Sequence, residues 1–518
     1  MKITHVAVHR NTTVVVLLLL VVILGAYSYV VLPRESSPEV VIPYIFVTVT
    51  YEGVSPEDME SLVTVPIERK LTGMSGLKEI QSTSAEGAST IAIEFEADTD
   101  IEDALQRVRD KVDQAKQDLP RDAEDPSVFE INISEFPIMV MSLTGNYPLA
   151  VLNELAEDIE DRIETIPGVL DVEIIGGVER EIQIEVDPDR VAEYGVSFGD
   201  LISVVSLENV NTPGGALDLG DGKYLMRTPG EFKTPEEIEN LVVKTGPGGA
   251  VFLRDLAVVR DGFKEITTIS RVNDKPSVTL TVSKRSGENI IRIADQVKTA
   301  LKDISRRFPP GVEVGLTWDE SVWIRDMVSD LENSILSGML LVLLVIFVSL
   351  GFTNALMVSL AIPVSMLITF VALYFSDVTL NLVSLFSLIL AVGMLVDNGI
   401  VVVENIHRHV QSGIPPVEAA KIGADEVSWP ITGSTLTTIA AFSPMFFWPG
   451  IWGEFMVYLP MTVSISLAAS LFVGIVVNPS LAALLLRHHP ALAGVPKRAR
   501  ILEVYERVLR LALRWRAV

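Results

Sequence analysis

An acidic residue stands inside a long apolar segment. Residues 393–409 read GMLVDNGIVVVENIHRH, and the first twelve of them continue an apolar run that begins near Leu380. A carboxylate at the centre of a membrane helix costs roughly 2.5–3.5 kcal/mol on insertion scales, so it seldom persists without a partner or a task. Burial favours its neutral form and a nearby cation favours its charged form. Asp397 is therefore a candidate proton carrier.

Three polar residues close to Asp397 are candidate members of the same proton site. Asn398 follows it directly, and Glu404 and Asn405 lie nearly two helical turns further along. At about 3.6 residues per turn, Glu404 falls on about the same helical face as Asp397. Two simpler roles stay open. Asp397 can be a structural acid bonded to a neighbouring Ser, Thr or Asn, and Glu404 can be a charge at the membrane interface.

Two histidines follow this stretch. His407 and His409 are predicted to lie solvated in a cytoplasmic loop. A spacing of two residues on an irregular segment is weak support for a metal site. We therefore assign no metal ligand and no catalytic residue to this sequence.

The composition is that of a membrane protein with one large acidic segment. The chain has 518 residues, 49% of them hydrophobic, a mean hydropathy of +0.39 and no cysteine, which excludes a disulfide framework. Of its 67 acidic and 41 basic residues, 58 and 29 fall within 34–332, so this segment carries −29 where the whole chain carries −26. Since nucleic-acid binding needs a basic surface, this balance argues against a nucleic-acid partner.

Six apolar runs are long enough to cross about 30 Å of hydrocarbon. The first extends well beyond the apolar core of a signal peptide and ends without a small-residue cleavage pattern, so we interpret it as an uncleaved anchor. The runs lie near residues 12–33, 333–350, 355–375, 380–404, 429–449 and 456–486.

The basic residues of the short connections define an orientation. The loops at 376–379 and 449–455 contain none, whereas the opposite side is basic, so the positive-inside rule puts the N-terminus in the cytoplasm. The large acidic segment then lies outside, in the periplasm of a cell with two membranes. After six spans the chain returns to the cytoplasm, where KRARILEVYERVLRLALRWR is typical of an amphipathic helix on the inner membrane face. The basic residues are Lys2, Arg10, Arg408, Lys421, Arg487, Lys497, Arg498 and Arg500.

The outside segment alternates strands and helices. The order strand, helix, strand, strand, helix occurs twice, which favours two βαβ-type units of ferredoxin-like character. Residues 209–262 interrupt this order with a hairpin region rich in Gly and Pro, and they indicate an inserted subdomain. We therefore expect an α-helical membrane protein with a large α+β extracytoplasmic domain. The predicted elements are strand 42–53, helix 55–71 with a Ser cap, two strands within 77–96, helix 101–119, strand 136–145, helix 149–166, strands 169–177 and 179–187, and a strand and helix within 275–304.

These features together resemble the resistance-nodulation-division (RND) exporters, especially the multidrug permeases of Gram-negative inner membranes. A complete permease of this type is about twice as long, and its second half repeats the plan of the first. The resemblance implies six transmembrane helices, ferredoxin-like porter subdomains and an inserted docking-type hairpin subdomain. It is carried, in order and at family spacing, by VTVTYEGVSPEDMESLVTVPIE, GVLDVEIIGG, LRDLAVV, LAVGMLVDNGIVVVENI, GIPPVEAA and NPSLAALLL. The implied domains are 1–33 (N-terminus and first span), 34–135 (first porter subdomain), 136–208 (second porter subdomain), 209–262 (docking-like insertion), 263–332 (porter return segment), 333–486 (spans two to six) and 487–518 (cytoplasmic linker helix).

The resemblance also implies roles for single residues. In drug-exporting relatives the motif around Asp397 carries two adjacent acids, and their counter-charge is a lysine on a span of the second half. Here Asn398 replaces the second acid, which implies one titrating group rather than a coupled pair. Phe136 and Ile175 match porter positions that line the drug pocket, although an apolar residue on a strand is usually part of a core.

The leading hypothesis is the N-terminal half of a proton-driven permease that exports amphiphilic compounds from the periplasm or the outer leaflet. Such a permease uses the proton gradient, needs no cofactor and is not an enzyme. The implied partners are the membrane, a second six-span half, a homotrimer of the complete permease, a periplasmic adaptor and an outer-membrane channel.

Two other functions stay open. One is a non-transporting subunit for membrane biogenesis or for protein or lipid export on the same scaffold, and the other is a pure assembly subunit. The intramembrane acid favours transport, because an assembly subunit has no need of it. No loop of the form GxxxxGK[ST] occurs in the sequence, which argues against direct use of ATP.

Overall fold

The chain folds into two units. The first comprises Met1–Phe136, Lys284–Ala294 and Glu320–Val518, and the second comprises Pro137–Ser283 and Asp295–Asp319. The structure is a computed structural model. It describes residues 2–38, 41–96, 99–132, 136–218, 222–246, 249–486 and 500–514.

The first unit begins with two helices and a small α/β layer. Its elements are α1 (Lys2–His9), α2 (Asn11–Val31), β1 (Val41–Thr50), α3 (Pro56–Met59), a π turn (Glu60–Thr64), α4 (Val65–Leu71), β2 (Leu77–Ala85), β3 (Ala88–Phe95), α5 (Ile101–Ala115) and β4 (Ser127–Asn132). The antiparallel strands pair in the order β2-β3-β1-β4, so the sheet has one strand more than the pattern predicts. The Ser55 side chain accepts a hydrogen bond from the Asp58 N–H and caps the first helix, as predicted. Ile45 and Ile91 of the sheet and Val108 of α5 are fully buried in one shared core.

The second unit is built around a five-stranded sheet. β5 and β14 pair in its centre, β13 and β15 flank them, and β6 also pairs with β14. Met139 and Met141 of β5 are fully buried and belong to the core. The elements of this part of the chain are β5 (Pro137–Thr144), α6 (Leu149–Glu164), β6 (Val169–Ile175), β7 (Arg180–Val186), α7 (Pro188–Tyr194), α8 (Phe198–Glu208), β8 (Thr212–Asp218), β9 (Lys223–Thr228), α9 (Pro235–Glu239), β10 (Val242–Gly246), β11 (Gly249–Phe252), α10 (Leu253–Leu256), β12 (Ala257–Phe263), β13 (Ser270–Val272), β14 (Lys275–Lys284), α11 (Ile290–Ile304) and β15 (Glu313–Asp319).

β7 differs from its predicted place. The sequence order assigns it to the same sheet as β5 and β6, but it pairs along its whole length with β12 in a separate two-stranded sheet. A bidentate contact supports this pairing, since the Arg180 guanidinium donates to both oxygens of Asp261 at 2.8 and 2.6 Å. These hydrogen bonds also hold the pKa of Asp261 below its usual range.

The inserted part of the second unit has its own apolar core. Val196 and Leu201 share this core with Leu256 and Val259, which lie far along the chain. The predicted boundary between residues 208 and 209 therefore divides side chains that the structure keeps together. The two-stranded hairpin of β8 and β9 lies within this part, as the Gly/Pro pattern predicts.

Helices form most of the rest of the first unit, and many of them are long and apolar. Their elements are α12 (Glu320–Leu350), α13 (Phe352–Phe375), α14 (Leu382–Leu395), α15 (Asp397–Gln411), α16 (Pro416–Phe442), α17 (Ile451–Met456), α18 (Tyr458–Phe472), a π turn (Val473–Val477), α19 (Asn478–Leu485) and α20 (Arg500–Arg514). Among the described residues, five segments are long and apolar enough to cross a membrane: Asn11–Val31, Glu320–Leu350, Phe352–Phe375, Leu382–Gln411 and Ile451–Leu485. α16 is as long but more polar and is not among them. The predicted cytoplasmic residues Arg487, Lys497 and Arg498 lie outside the described residues.

A short strap, Pro33–Ser36, joins the end of α2 to two other parts of the first unit. The Glu35 carboxylate lies 2.6 Å from Lys284 Nζ at the end of β14, and both side chains are only 2% exposed. The strap also pairs with the segment before α14, because Leu380 donates its N–H to the Pro33 carbonyl and accepts from the Glu35 N–H. Removing one partner of a buried ion pair is strongly destabilising, so we expect the Glu35–Lys284 pair to hold the strap in place.

Gly25 sets the close approach of α2 to α13. A Cβ at this position would lie 2.6 Å from Leu367 Cβ and 2.8 Å from the Leu367 carbonyl oxygen. Overpacking of this kind costs about 1–3 kcal/mol. Gly25→Ala should therefore lower the midpoint of thermal unfolding of the detergent-solubilised chain, followed by tryptophan fluorescence. The matched control is Gly433→Ala in α16, where a Cβ meets nothing within 4 Å. Equal midpoints for the two variants would contradict the packing of these helices.

Candidate functional site

Asp397 lies where one helix ends and the next begins. α14 ends at Leu395 and α15 begins at Asp397, and the one residue between them, Val396, keeps a right-handed helical conformation. The side chains of Asp397, Val401 and Glu404 are all exposed along the same face of α15. The other described helices of this chain therefore leave the face that carries both acids uncovered.

Asn398 points the other way and joins three helices. It is buried, and its Nδ2 donates to Ser470 Oγ of α18 at 3.2 Å, while its Oδ1 accepts from Thr435 Oγ1 of α16 at 3.3 Å. Ser470 in turn donates to the Leu395 carbonyl at 2.5 Å, which satisfies an acceptor at the end of α14. The neutral neighbour of Asp397 thus holds the helix break in position.

Asn405 belongs to a second polar cluster, which begins about two turns further along α15. Its Nδ2 donates to the Gly423 carbonyl at 2.7 Å and to Glu426 Oε2 at 2.9 Å, both on α16. The same carboxylate oxygen accepts from Arg408 at 3.1 Å and lies 3.0 Å from His409 Nε2. This cluster fixes α15 against α16.

The prediction that His407 and His409 lie solvated in a loop is wrong. α15 continues to Gln411, and the His407 ring lies between two side chains, with Nδ1 3.0 Å from Asn354 Nδ2 and Nε2 2.8 Å from Gln411 Nε2. Polar residues at the end of an apolar run indicated a loop, but here they continue the helix and bond to neighbouring helices. A cavity of about 460 Å³ beside them is lined by Glu404 and Arg408, among others.

The two predicted pocket residues occupy unlike positions. Phe136 precedes β5 directly and is 57% exposed, while Ile175 ends β6 and is half-buried. Each belongs to a different unit of the chain. Their role in a substrate pocket stays a prediction.

Sequence reasoning missed three residues of this site, Thr435, Ser470 and Glu426. The signal for Asp397 was a polar group in an apolar run, and Thr435 and Ser470 carry the same signal in weaker form. It is weaker because a helical hydroxyl can bond back to its own helix and so needs no partner elsewhere.

The whole chain matches one known family. The sequence model described as the AcrB/AcrD/AcrF family covers residues 3–517. The chain belongs to this family. The match confirms the resemblance to RND permeases that the motifs indicated.

Curated relatives of this family member are named as multidrug resistance proteins. The chain is 32% identical over 493 residues to the multidrug resistance protein MdtC of Pantoea ananatis (strain AJ13355), covering 94% of this chain and 48% of that protein. It is 31% identical over 513 residues to MdtC of Escherichia coli O139:H28 (strain E24377A / ETEC), covering 98% and 50%. The chain thus spans about half the length of the curated relatives it matches.

The contact between Asn398 and Ser470 can be tested by a double-mutant cycle. Asn398→Ala removes the partner of Ser470 and Thr435, and Ser470→Ala removes the partner of Asn398 and of the Leu395 carbonyl. Leaving buried polar groups unpaired costs about 1–3 kcal/mol, so each single variant should lower the thermal midpoint of the detergent-solubilised chain. Because both break the same contact, the double variant should lose less than the sum. Strictly additive losses would mean that the two side chains do not interact.

Proposed function

We propose that this chain supplies the N-terminal half of a proton-driven RND permease that exports amphiphilic compounds from the periplasm or the outer leaflet of the inner membrane. The observation that carries the proposal is the acid Asp397 on an uncovered face of the membrane-length segment Leu382–Gln411. The names of the MdtC relatives, and the half of their length that this chain covers, support it. No observation favours a biogenesis or protein-export subunit on the same scaffold.

The uncovered acid supports a second membrane half as partner. Facing lipid, a carboxylate near the middle of the bilayer costs several kcal/mol unless it is neutral, paired or hydrated. A second six-span half that covers this face and presents a lysine would provide the missing cation. Protonated Asp397 can donate one hydrogen bond, whereas the ionised form must find the cation or water, so the two states favour different helix packings.

The proton gradient supplies enough free energy for export. One proton that crosses 100 mV releases about 2.3 kcal/mol, and each pH unit adds about 1.4 kcal/mol. Since about 1.4 kcal/mol is worth a tenfold gradient, one proton can drive a gradient of a neutral compound of roughly fortyfold from the potential alone and of several hundredfold with one pH unit added. The single acid at Asp397, with Asn398 beside it, fits one proton per cycle.

We further propose six spans, with α16 and the 3₁₀ turn Ser443–Phe447 as the fifth. Exposed aromatic residues support this, since Trp429 is 74% exposed and Phe447 is 84% exposed. They are separated by 18 residues, which at 1.5 Å per residue gives about 27 Å, close to the hydrocarbon thickness. Aromatic side chains are enriched at both membrane interfaces.

The orientation and assembly follow from the same proposal. The N-terminus is cytoplasmic, and residues 34–332 are periplasmic, with porter subdomains at 34–135, 136–179 and 264–332. The separate core of the inserted part supports docking-subdomain bounds of about 180–263 in place of 209–262. The complete permease forms a homotrimer in the bacterial inner membrane and works with a periplasmic adaptor and an outer-membrane channel.

The proton role of Asp397 is tested in the assembly reconstituted with its second half. Asp397→Asn keeps the size of the side chain but cannot ionise, so it should abolish proton-coupled export, a loss of at least about a hundredfold, with trimer formation unchanged. Asn398→Ala should only weaken export, because it loosens the helix break and leaves the acid in place. Drug-dependent quenching of a pH-sensitive dye in proteoliposomes measures both. Undiminished export by Asp397→Asn would leave the acid a structural residue and overturn the proposal.

A further inference from the structure

The turn between β14 and α11 closes on the strap Pro33–Ser36. One carboxylate oxygen of Glu35 accepts two hydrogen bonds, from Lys284 Nζ at 2.6 Å and from the Gly287 N–H at 3.0 Å. Lys284 Nζ also donates to the Arg285 carbonyl at 3.3 Å. The carboxylate and the ammonium group are therefore both held by the backbone of this turn as well as by each other.

The ion pair lies where charge is not needed for stability. Both side chains are 2% exposed, so both groups have left water. Replacing a buried ion pair by neutral groups of similar volume is often neutral or stabilising. Apolar contact is non-directional, whereas hydrogen bonds between charged groups are short and have a preferred direction. The Glu35–Lys284 pair is thus better suited to fix a position than to add stability.

The other side of the strap binds the start of α14. Leu380 donates its N–H to the Pro33 carbonyl at 2.9 Å and accepts from the Glu35 N–H at 3.2 Å. Leu382, the first residue of α14, donates its N–H to the Ser36 carbonyl at 3.2 Å. Glu35 therefore contacts the turn after β14 through its side chain and the segment before α14 through its backbone.

A continuous route of helix and hydrogen bonds leads from the strap to Asp397. Asn381 and Ser384 close the first turn of α14, since each side chain accepts from the N–H of the other residue at 2.9 Å. Val396 keeps a right-handed helical conformation, so α14 leads directly into α15. The rise from Leu382 to Asp397 is about 22 Å at 1.5 Å per residue. A shift at the start of α15 can thus reach the strap through one capped helix.

We propose that Glu35 and Lys284 are positioning residues for export, which couple the helices around Asp397 to the end of β14. Lys284 is the last residue of β14, one of the two central strands of the five-stranded sheet. When Asp397 gains or loses its proton, the favoured helix packing changes. The strap follows α14, and the ion pair passes this shift to β14. The role in export rests on the proposed function, whereas the fixing of the strap by the pair does not.

A double-mutant cycle tests the pair in the full chain alone. Glu35→Gln leaves Lys284 charged without its partner, and Lys284→Met does the same to Glu35, so each single variant should lower the thermal midpoint of the detergent-solubilised chain. The double variant Glu35→Gln/Lys284→Met removes both charges together and should lose less than either single variant. Losses that add up in the double variant would show that the two charges do not interact and would overturn the proposal.

The coupling is tested in the assembly reconstituted with its second half. Glu35→Gln/Lys284→Met should slow substrate-dependent proton uptake on the order of tenfold, while the infrared signal of the titrating carboxyl group stays as in the wild type. A purely structural pair would not separate these two measurements. The matched control is Lys70→Met/Asp118→Asn, which removes an exposed ion pair of 3.0 Å away from the strap and should leave uptake unchanged.

The remaining outcomes separate this proposal from the proposed function. Undiminished uptake in Glu35→Gln/Lys284→Met, with export abolished in Asp397→Asn, would overturn the positioning role and leave the proposed function in place. A lost carboxyl signal in the double variant would also overturn it, because the pair would then act on the acid itself. Undiminished export by Asp397→Asn would overturn the proposed function, and the thermal cycle would still decide whether the pair fixes the strap.

Discussion

A carboxylate inside hydrocarbon must be neutral, paired with a cation or in contact with water. Asp397 is subject to this constraint. The other described helices of the chain leave the face of α15 that carries Asp397 and Glu404 uncovered. The arrangement around the acid follows from that. Only Val396, which keeps a right-handed helical conformation, separates α14 from α15 beside the acid, and the residue behind the acid is an amide that cannot ionise. What remains is the need for a partner on the uncovered face of α15.

The surrounding helices hold the junction of α14 and α15 in place through hydrogen bonds between neutral groups. Asn398 joins α15 to α16 and α18 through two hydroxyls, and Asn405 fixes the far part of α15 to α16. The start of α14 is held in turn by the strap after α2, whose Glu35 forms a buried ion pair with Lys284 at the end of β14. Hydrogen bonds and one ion pair thus connect the helices around the acid to the strap and to Lys284.

The sequence predicted those features that depend on local pattern. Apolar runs predicted most of the long helices, alternation predicted the strands, and the Ser followed by acids before an apolar run predicted the Ser55 cap. The role of the acid in the apolar run stays a prediction. The pairing of strands could not be predicted from local pattern. Alternation identifies β7 as a strand, but it does not show that β12 is the neighbouring strand. The role of Asn398 was hidden for the same reason, since its partners lie 37 and 72 residues away. His407 and His409 were misassigned because polarity was taken for the end of a helix.

The central claim is that Asp397 binds and releases the transported proton, and infrared spectroscopy measures this most directly. The difference spectrum of the reconstituted assembly between acidic and alkaline pH contains the stretch of protonated carboxyl groups. One carboxyl signal that titrates in the wild-type assembly should be lost in Asp397→Asn and kept in Asn398→Ala. An unchanged carboxyl spectrum in Asp397→Asn would contradict the account, because the proton would then be carried elsewhere.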